Sequence, residues 1–368
     1  MAINDKDLIK RIAENSLINV GNNYRIKTVM EKAMRGEKVT IVYLGASITE
    51  GIMVEEKECF TIKSYNYFSK NFGVGNNVKY VNAGVSGTDS VLGLIRADRD
   101  VLEYEPDIIF VEFAVNDTKN NLCRATFEAL VAKMLTSKTK PIVILLFAVS
   151  EVGYTCQGQM KQIGIHYDLP MISIKEGIIP EINANQITWK DYSDDLGHPN
   201  NQGHSLITEM INHYFETAYK KAKDTGYKLS EKAFYGLQFQ SMVMLDSLNA
   251  NLDTTGGFKA TETIAAMKNG WVRKAGASME SFLFNLQCRS LFVVYKESSN
   301  IKTGTVEVYV DGKMKLLLNG YNSMGWDNPV TKLVFDEQDA EIHTIEIKVP
   351  ECDAEKEFTI LGFGYCSL

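Results

Sequence analysis

Val39-Thr40-Ile41-Val42-Tyr43-Leu44-Gly45-Ala46-Ser47-Ile48-Thr49-Glu50-Gly51 passes from a nearly unbroken apolar run into a turn of small residues. A strand covered by helices on both faces reads this way, because neither face needs a polar side. Four further runs have the same character: Val78 to Asn82, Ile108 to Phe113, Ile142 to Phe147 and Met171 to Ile174. Between them, Asp89 to Glu103 and Leu122 to Thr136 repeat apolar residues at helical spacing, and Gln202 to Lys223 reads as a closing helix. Lys6 to Arg35 also reads as helical. Strands alternating with helices predict βαβ units, hence a parallel sheet in a three-layer α/β/α sandwich.

After Thr225-Gly226 the rhythm changes to period two, as in Val306-Glu307-Val308-Tyr309-Val310 and Ile345-Glu346-Ile347-Lys348-Val349. Asp311-Gly312 is a type I′ hairpin signal, since both central residues must accept positive φ. The expectation is an α/β domain over residues 1–225 and an all-β sandwich of roughly eight short strands over 226–368. A chain of 368 residues is long enough for two cores.

Hydrophobic residues make up 45% and charged residues 23%, as in ordinary globular proteins, and the formal charge is −7. A mild acidic surplus offers no attraction for nucleic acid or an anionic membrane, so neither is expected as a partner. No run approaches the ~18 apolar residues of a membrane span, and the acidic start Met1 to Asp7 lacks an apolar leader core. Cys59, Cys123, Cys156, Cys288, Cys352 and Cys366 are scattered, without metal-ligand spacing. Free thiols in a reducing cytoplasm are therefore expected, with no metal and no cofactor. The oligomeric state stays open, a homo-oligomer included.

The chemistry-bearing residues gather at predicted strand ends, where open α/β sheets bind ligands. Gly45 and Ala46 permit a tight turn that presents the Ser47 hydroxyl and leaves its backbone N–H for an oxyanion. A serine there can equally cap the next helix. Gly276-Ala277-Ser278 repeats the tripeptide in the β-rich half without such partners and reads as a turn.

Asp194-Asp195-Leu196-Gly197-His198-Pro199-Asn200 precedes the closing helix. His198 can act as general base for Ser47, held in one tautomer by a carboxylate. Spacing favours Asp195 over its neighbour Asp194, and Pro199 stiffens the loop. Gly87, after the second strand, and Asn116, after the third, supply a backbone N–H and a side-chain amide as oxyanion donors. Each alone also fits a turn.

These four blocks, in this order, resemble the SGNH or GDSL-like hydrolase superfamily over roughly the first 220 residues. The resemblance implies a flavodoxin-like fold. It also implies Ser47 as nucleophile, His198 and Asp195 as base and orienting acid, and Ser47, Gly87 and Asn116 around the oxyanion. Two positions depart from the family pattern: Ala46 stands where Asp is usual and Ala114 where Gly is usual. Loss of that Asp is familiar in members resembling carbohydrate esterases.

The stretch Gly21 to Arg25 through Gly51, with an appended β domain, resembles two-domain acetylesterases of carbohydrate esterase family 17. That likeness implies an acetylated plant-derived oligosaccharide of mannan or xylan type as substrate. It also makes the β domain similar to a carbohydrate-binding module. Trp326 is the candidate sugar-facing aromatic, and Trp189, in the loop before Asp195, is a candidate wall of the acyl site, both counted as substrate-binding. Trp271 is a further sugar-facing candidate, with core packing its simpler reading. Lipid esters, acyl-CoA and a silent sugar-binding role remain as alternatives.

Overall fold

The computed structural model describes Ile3 and residues 5–367, so part of the acidic start lies outside the described residues. Two compact units are present, one of Met1–Gly93 with Arg99–Leu237, the other of Leu94–Asp98 with Gln238–Leu368. The first runs past Gly226 because a buried carboxylate holds its tail. Glu128 accepts the backbone N–H groups of Phe234, Tyr235 and Gly236 together with the Tyr167 hydroxyl.

The first unit is built on β1 (Leu17–Asn19), β2 (Val39–Gly45), β3 (Val78–Gly84), β4 (Ile108–Glu112), β5 (Ile142–Phe147) and β6 (Met171–Ser173). They form one sheet in the order β1-β6-β5-β4-β2-β3. β2 to β6 are parallel and follow the flavodoxin-like winding, while β1 joins β6 antiparallel. β2, β4 and β5 are buried at every residue, which is why their sequences are continuous rather than alternating. Tyr43 stacks on Phe110 at 4.8 Å between ring centroids and hydrogen-bonds Ser64 at 2.8 Å, so its polar end is satisfied in the core.

Two helical readings change in detail. Lys6 to Arg35 is two helices, Lys6–Ser16 and Tyr24–Met34, with β1 between them. Gly21 makes this break, with φ of +63° and a backbone so close to Leu169 that a Cβ would lie 2.5 Å from its carbonyl carbon. Asp89 to Glu103 is split into Ser90–Ile95, Ala97–Asp100 and a 3₁₀ turn at Leu102–Tyr104.

The second unit contains β7 (Val243–Leu245), β8 (Phe258–Ile264), β9 (Met267–Arg273), β10 (Phe282–Ser298), β11 (Thr305–Val310), β12 (Lys313–Asn319), β13 (Trp326–Lys348) and β14 (Phe358–Cys366). All are antiparallel, in the order β12-β11-β13-β10-β14-β9-β8, with β7 on β14. The expected short strands include two long ones, because β10 and β13 pair with each other along their length. Register shifts at Cys288/Ser290, Leu291/Phe292 and Glu297/Ser298 interrupt the alternation that sequence periodicity depends on. The β11–β12 hairpin turns at Asp311 and Gly312, whose φ angles of +52° and +73° are those of the predicted turn.

Trp271 is 1% exposed and meets Phe282 edge-on at 5.2 Å, with Phe363 beyond. It is core, the simpler of its two readings, and not a sugar-facing ring. Truncating a buried aromatic costs about 3–5 kcal/mol. Trp271→Ala is expected to destabilise the second unit by that order, measured by urea unfolding followed by circular dichroism.

Candidate active site

Gly45 of β2 lies beside Gly84 of β3 on one side and Glu112 of β4 on the other. The three chains leaving this edge carry Ser47, Gly87 and Asn116. A Cβ on Gly45 would sit 2.1 Å from Thr49 Oγ1, and one on Gly84 would sit 2.2 Å from the Glu50 nitrogen. Only glycine lets the turn fold this tightly against both strands.

Ser47 opens the single helical turn Ser47–Glu50, and the capping position is Ala46, so the serine hydroxyl is not spent on a cap. Its Oγ lies 2.9 Å from His198 Nε2, and His198 Nδ1 lies 2.7 Å from Asp195 Oδ2. The second Asp195 oxygen accepts the Gly197 and His198 backbone N–H groups, each at 2.7 Å. Burial by itself would raise this carboxyl, but those donors and the imidazole outweigh it and hold Asp195 down at about 2. It is therefore ionised at neutral pH and fixes an Nδ1–H tautomer on His198, leaving Nε2 to take a proton from Ser47.

Asp194 points elsewhere, accepting from Asn200 Nδ2 at 3.3 Å, which separates the two adjacent acids. Ser193 Oγ donates to the His198 carbonyl at 2.6 Å, and Ser193 and Pro199 form an isolated antiparallel bridge. Trp189 is half-buried, meets Tyr192 edge-on and donates its indole N–H to the Asp195 carbonyl at 2.7 Å. The acid's loop is thus held from both sides.

Gly87 has φ of +71° and is exposed, and its N–H has no acceptor among the described residues. The Asn116 N–H closes a turn onto the Phe113 carbonyl at 3.0 Å, while its side-chain Oδ1 is buried without a partner. Its carboxamide is not consumed by an Asx turn. Next to it, Asp117 accepts from Ser90 N at 2.8 Å and Ser90 Oγ at 2.7 Å, and burial pushes it up to about 8. Trp326, the remaining sequence candidate, belongs to the second unit, where it begins β13 and is 58% exposed.

Two acids that sequence reasoning passed over complete the surroundings of Ser47. Glu50 Oε2 accepts both the backbone N–H and the hydroxyl of Ser86. Glu112 is buried behind the turn, where its Oε2 accepts from Thr49 Oγ1 at 3.4 Å and its Oε1 has no partner. A lone acid within the otherwise apolar run Ile108 to Phe113 was the signal for Glu112; the Glu50–Ser86 contact reaches across an intervening helix and strand and left none.

Residues 43–206 match the model of the GDSL-like Lipase/Acylhydrolase family. A solved structure described as a two-domain esterase (CEX) active on acetylated mannans superposes with a TM-score of 0.88. It is 27% identical, over 96% of this chain and 98% of that one. A second structure, described in the same words and co-crystallised with mannopentaose, gives a TM-score of 0.85 and 28% identity over 96% and 97% of the two chains. No curated protein matches in sequence.

Burial, opposed by Thr49 and the Ala46 N–H, pushes Glu112 from its ordinary 4.5 up to about 7. The native state therefore holds this proton more tightly than the unfolded chain does. Its stabilising contribution is full below the unfolded value and is lost as pH rises through about 7. Asp117, raised to about 8, acts in the same direction. Thermal unfolding midpoints measured between about pH 5 and pH 8 should fall in the wild type and fall less steeply in Glu112→Gln.

Proposed function

We propose that this carboxylic ester hydrolase, whose residues 43–206 match the GDSL-like lipase/acylhydrolase family model, removes O-acetyl groups from mannan-type oligosaccharides through an acyl-enzyme on Ser47. The observation that carries the reading is the continuous chain from Ser47 Oγ through His198 to Asp195, with contacts of 2.9 and 2.7 Å.

In the first step His198 Nε2 takes the Ser47 proton as Oγ attacks the acetyl carbonyl. Negative charge moves onto the carbonyl oxygen, which the Ser47 and Gly87 N–H groups and the Asn116 amide receive. Protonated His198 then donates to the departing sugar oxygen, leaving acetyl on Ser47. Water, activated by the same imidazole, releases acetate and restores the serine. The chemistry as drawn uses five residues of this chain, Ser47, His198, Asp195, Gly87 and Asn116, and no metal step.

The choice of an acetylated mannan fragment is supported by the two structural matches, which cover nearly the whole of both chains. Trp326 suits a stacking contact with a sugar ring, being a large exposed aromatic at the start of β13 whose backbone N–H donates to Asn328 Oδ1 at 3.1 Å. Trp189 serves the acid loop first, and its remaining exposed part is a candidate wall for the acyl group. Cys59, Cys123, Cys156, Cys288 and Cys352 are free thiols, all but Cys352 buried, in keeping with a reducing compartment. No described helix is long and apolar enough to cross a membrane.

Ser47→Ala should lose turnover of 4-nitrophenyl acetate while keeping its unfolding midpoint, and retained turnover would remove Ser47 from the mechanism. Asn116→Ala is expected to lower kcat by ~100- to 1,000-fold, the usual cost of one oxyanion donor. Acetate release measured by chromatography should be faster from acetylated manno-oligosaccharides than from xylo-oligosaccharides. Activity that climbs steadily from acetyl to octanoyl esters would instead indicate a lipid esterase.

A further inference from the structure

Gly87 can receive an oxyanion only if the turn carrying it is held at a fixed distance from Ser47. Strand pairing secures only the near end of that turn, where the Val85 N–H donates to the Gly45 carbonyl at 3.1 Å. The Thr88 hydroxyl closes the turn on itself by donating to the Val85 carbonyl at 2.7 Å. Between these points the backbone crosses to positive φ at Gly87, where a residue without Cβ constrains itself least.

The missing restraint comes from the nucleophile's own helical turn. Glu50 follows Ser47 by three residues, so the two lie on the same side of Ser47–Glu50. Its Oε2 accepts the Ser86 N–H at 2.7 Å and the Ser86 hydroxyl as well. Asn82 Nδ2 adds a bond to the Thr49 carbonyl at 2.9 Å, and the bare Gly84 lets the Glu50 backbone press against β3. Two donors on one carboxylate oxygen, immediately before Gly87, tie both oxyanion amides to one short piece of backbone.

We infer that Glu50 is a positioning residue that sets the Gly87 N–H against the Ser47 N–H, so that a single developing oxyanion meets both. The inference rests on the reading of Ser47 and Gly87 given above. Glu50 acts through Ser86, whose N–H and hydroxyl its Oε2 accepts.

The test compares Glu50→Ala, Glu50→Gln and Ser47→Ala in the full-length enzyme with 4-nitrophenyl acetate, at a temperature well below each unfolding midpoint. A misplacement of about 1 Å costs on the order of 100-fold. Glu50→Ala should therefore lower kcat by roughly 10- to 100-fold with KM within about twofold, because the donor is needed in the transition state and not for binding. Glu50→Gln keeps an acceptor oxygen at the same reach and should stay within about threefold of wild type. Phenylboronic acid, which forms a tetrahedral adduct on a serine, should bind Glu50→Ala more weakly by a factor similar to the loss in kcat/KM. Wild-type kcat and boronate affinity in Glu50→Ala, or a Glu50→Gln as impaired as the alanine variant, would overturn the proposal. Retained turnover in Ser47→Ala would overturn the underlying reading instead, so the two failures are told apart.

Discussion

The turn that carries Ser47 can lie against the ends of β2 and β3 only because Gly45 and Gly84 have no Cβ. At Gly45 an added carbon would sit 2.1 Å from the Thr49 hydroxyl, and at Gly84 2.2 Å from the Glu50 nitrogen. Neither obstacle is the free end of a flexible chain, so a side chain would push the turn outward. Parallel register then does the remaining alignment, since Gly45 is flanked by Gly84 and Glu112 across the sheet. Three chains leave one edge of the sheet at one level, and they carry Ser47, Gly87 and Asn116.

Around that point the protein places its acids in opposite electrostatic states. Asp195 stays ionised because two backbone N–H groups and an imidazole face it, in spite of partial burial. Glu112 and Asp117, deeper in the sheet edge, are raised because too few donors accompany them into the core. The nearby His204 is treated in the same way: burial lowers it to about 4, so this imidazole is neutral, accepting from the Phe60 N–H at Nδ1. One histidine faces the Asp195 carboxylate and the Ser47 hydroxyl; the other is packing.

The parallel sheet was legible because burial on both faces writes itself as continuous runs such as Ile142 to Phe147. The Ser47–His198–Asp195 contact chain could be anticipated because Ser47 sits where the first of those runs stops and Asp195 and His198 share the loop before the closing helix, with Asp195 preferred to Asp194 by its spacing to His198. Less could be read where structure depends on contacts across the chain. β1 is three residues long and exists because β6 offers it an edge. β10 and β13 looked like several strands because bulges reset the period. Trp189 was read as a wall for substrate, whereas its indole N–H has an acceptor at Asp195 that no pattern announces. The same holds for Glu50, whose partner Ser86 lies across an intervening helix and strand.

Ala46, the departure from the family's usual Asp, makes physical sense beside Glu112. Ala46 is fully buried, and its backbone N–H is one of the few groups that stabilise the Glu112 carboxylate. An aspartate at 46 would bring a second carboxyl into a region where the first already lacks a partner for one oxygen. Two acids sharing such a site cannot both ionise cheaply, and each would hold the other's proton more firmly. A methyl group avoids that repulsion and leaves the Ser47 turn with a single acid behind it. The substitution and the buried glutamate are therefore better understood as one arrangement than as two independent oddities of sequence.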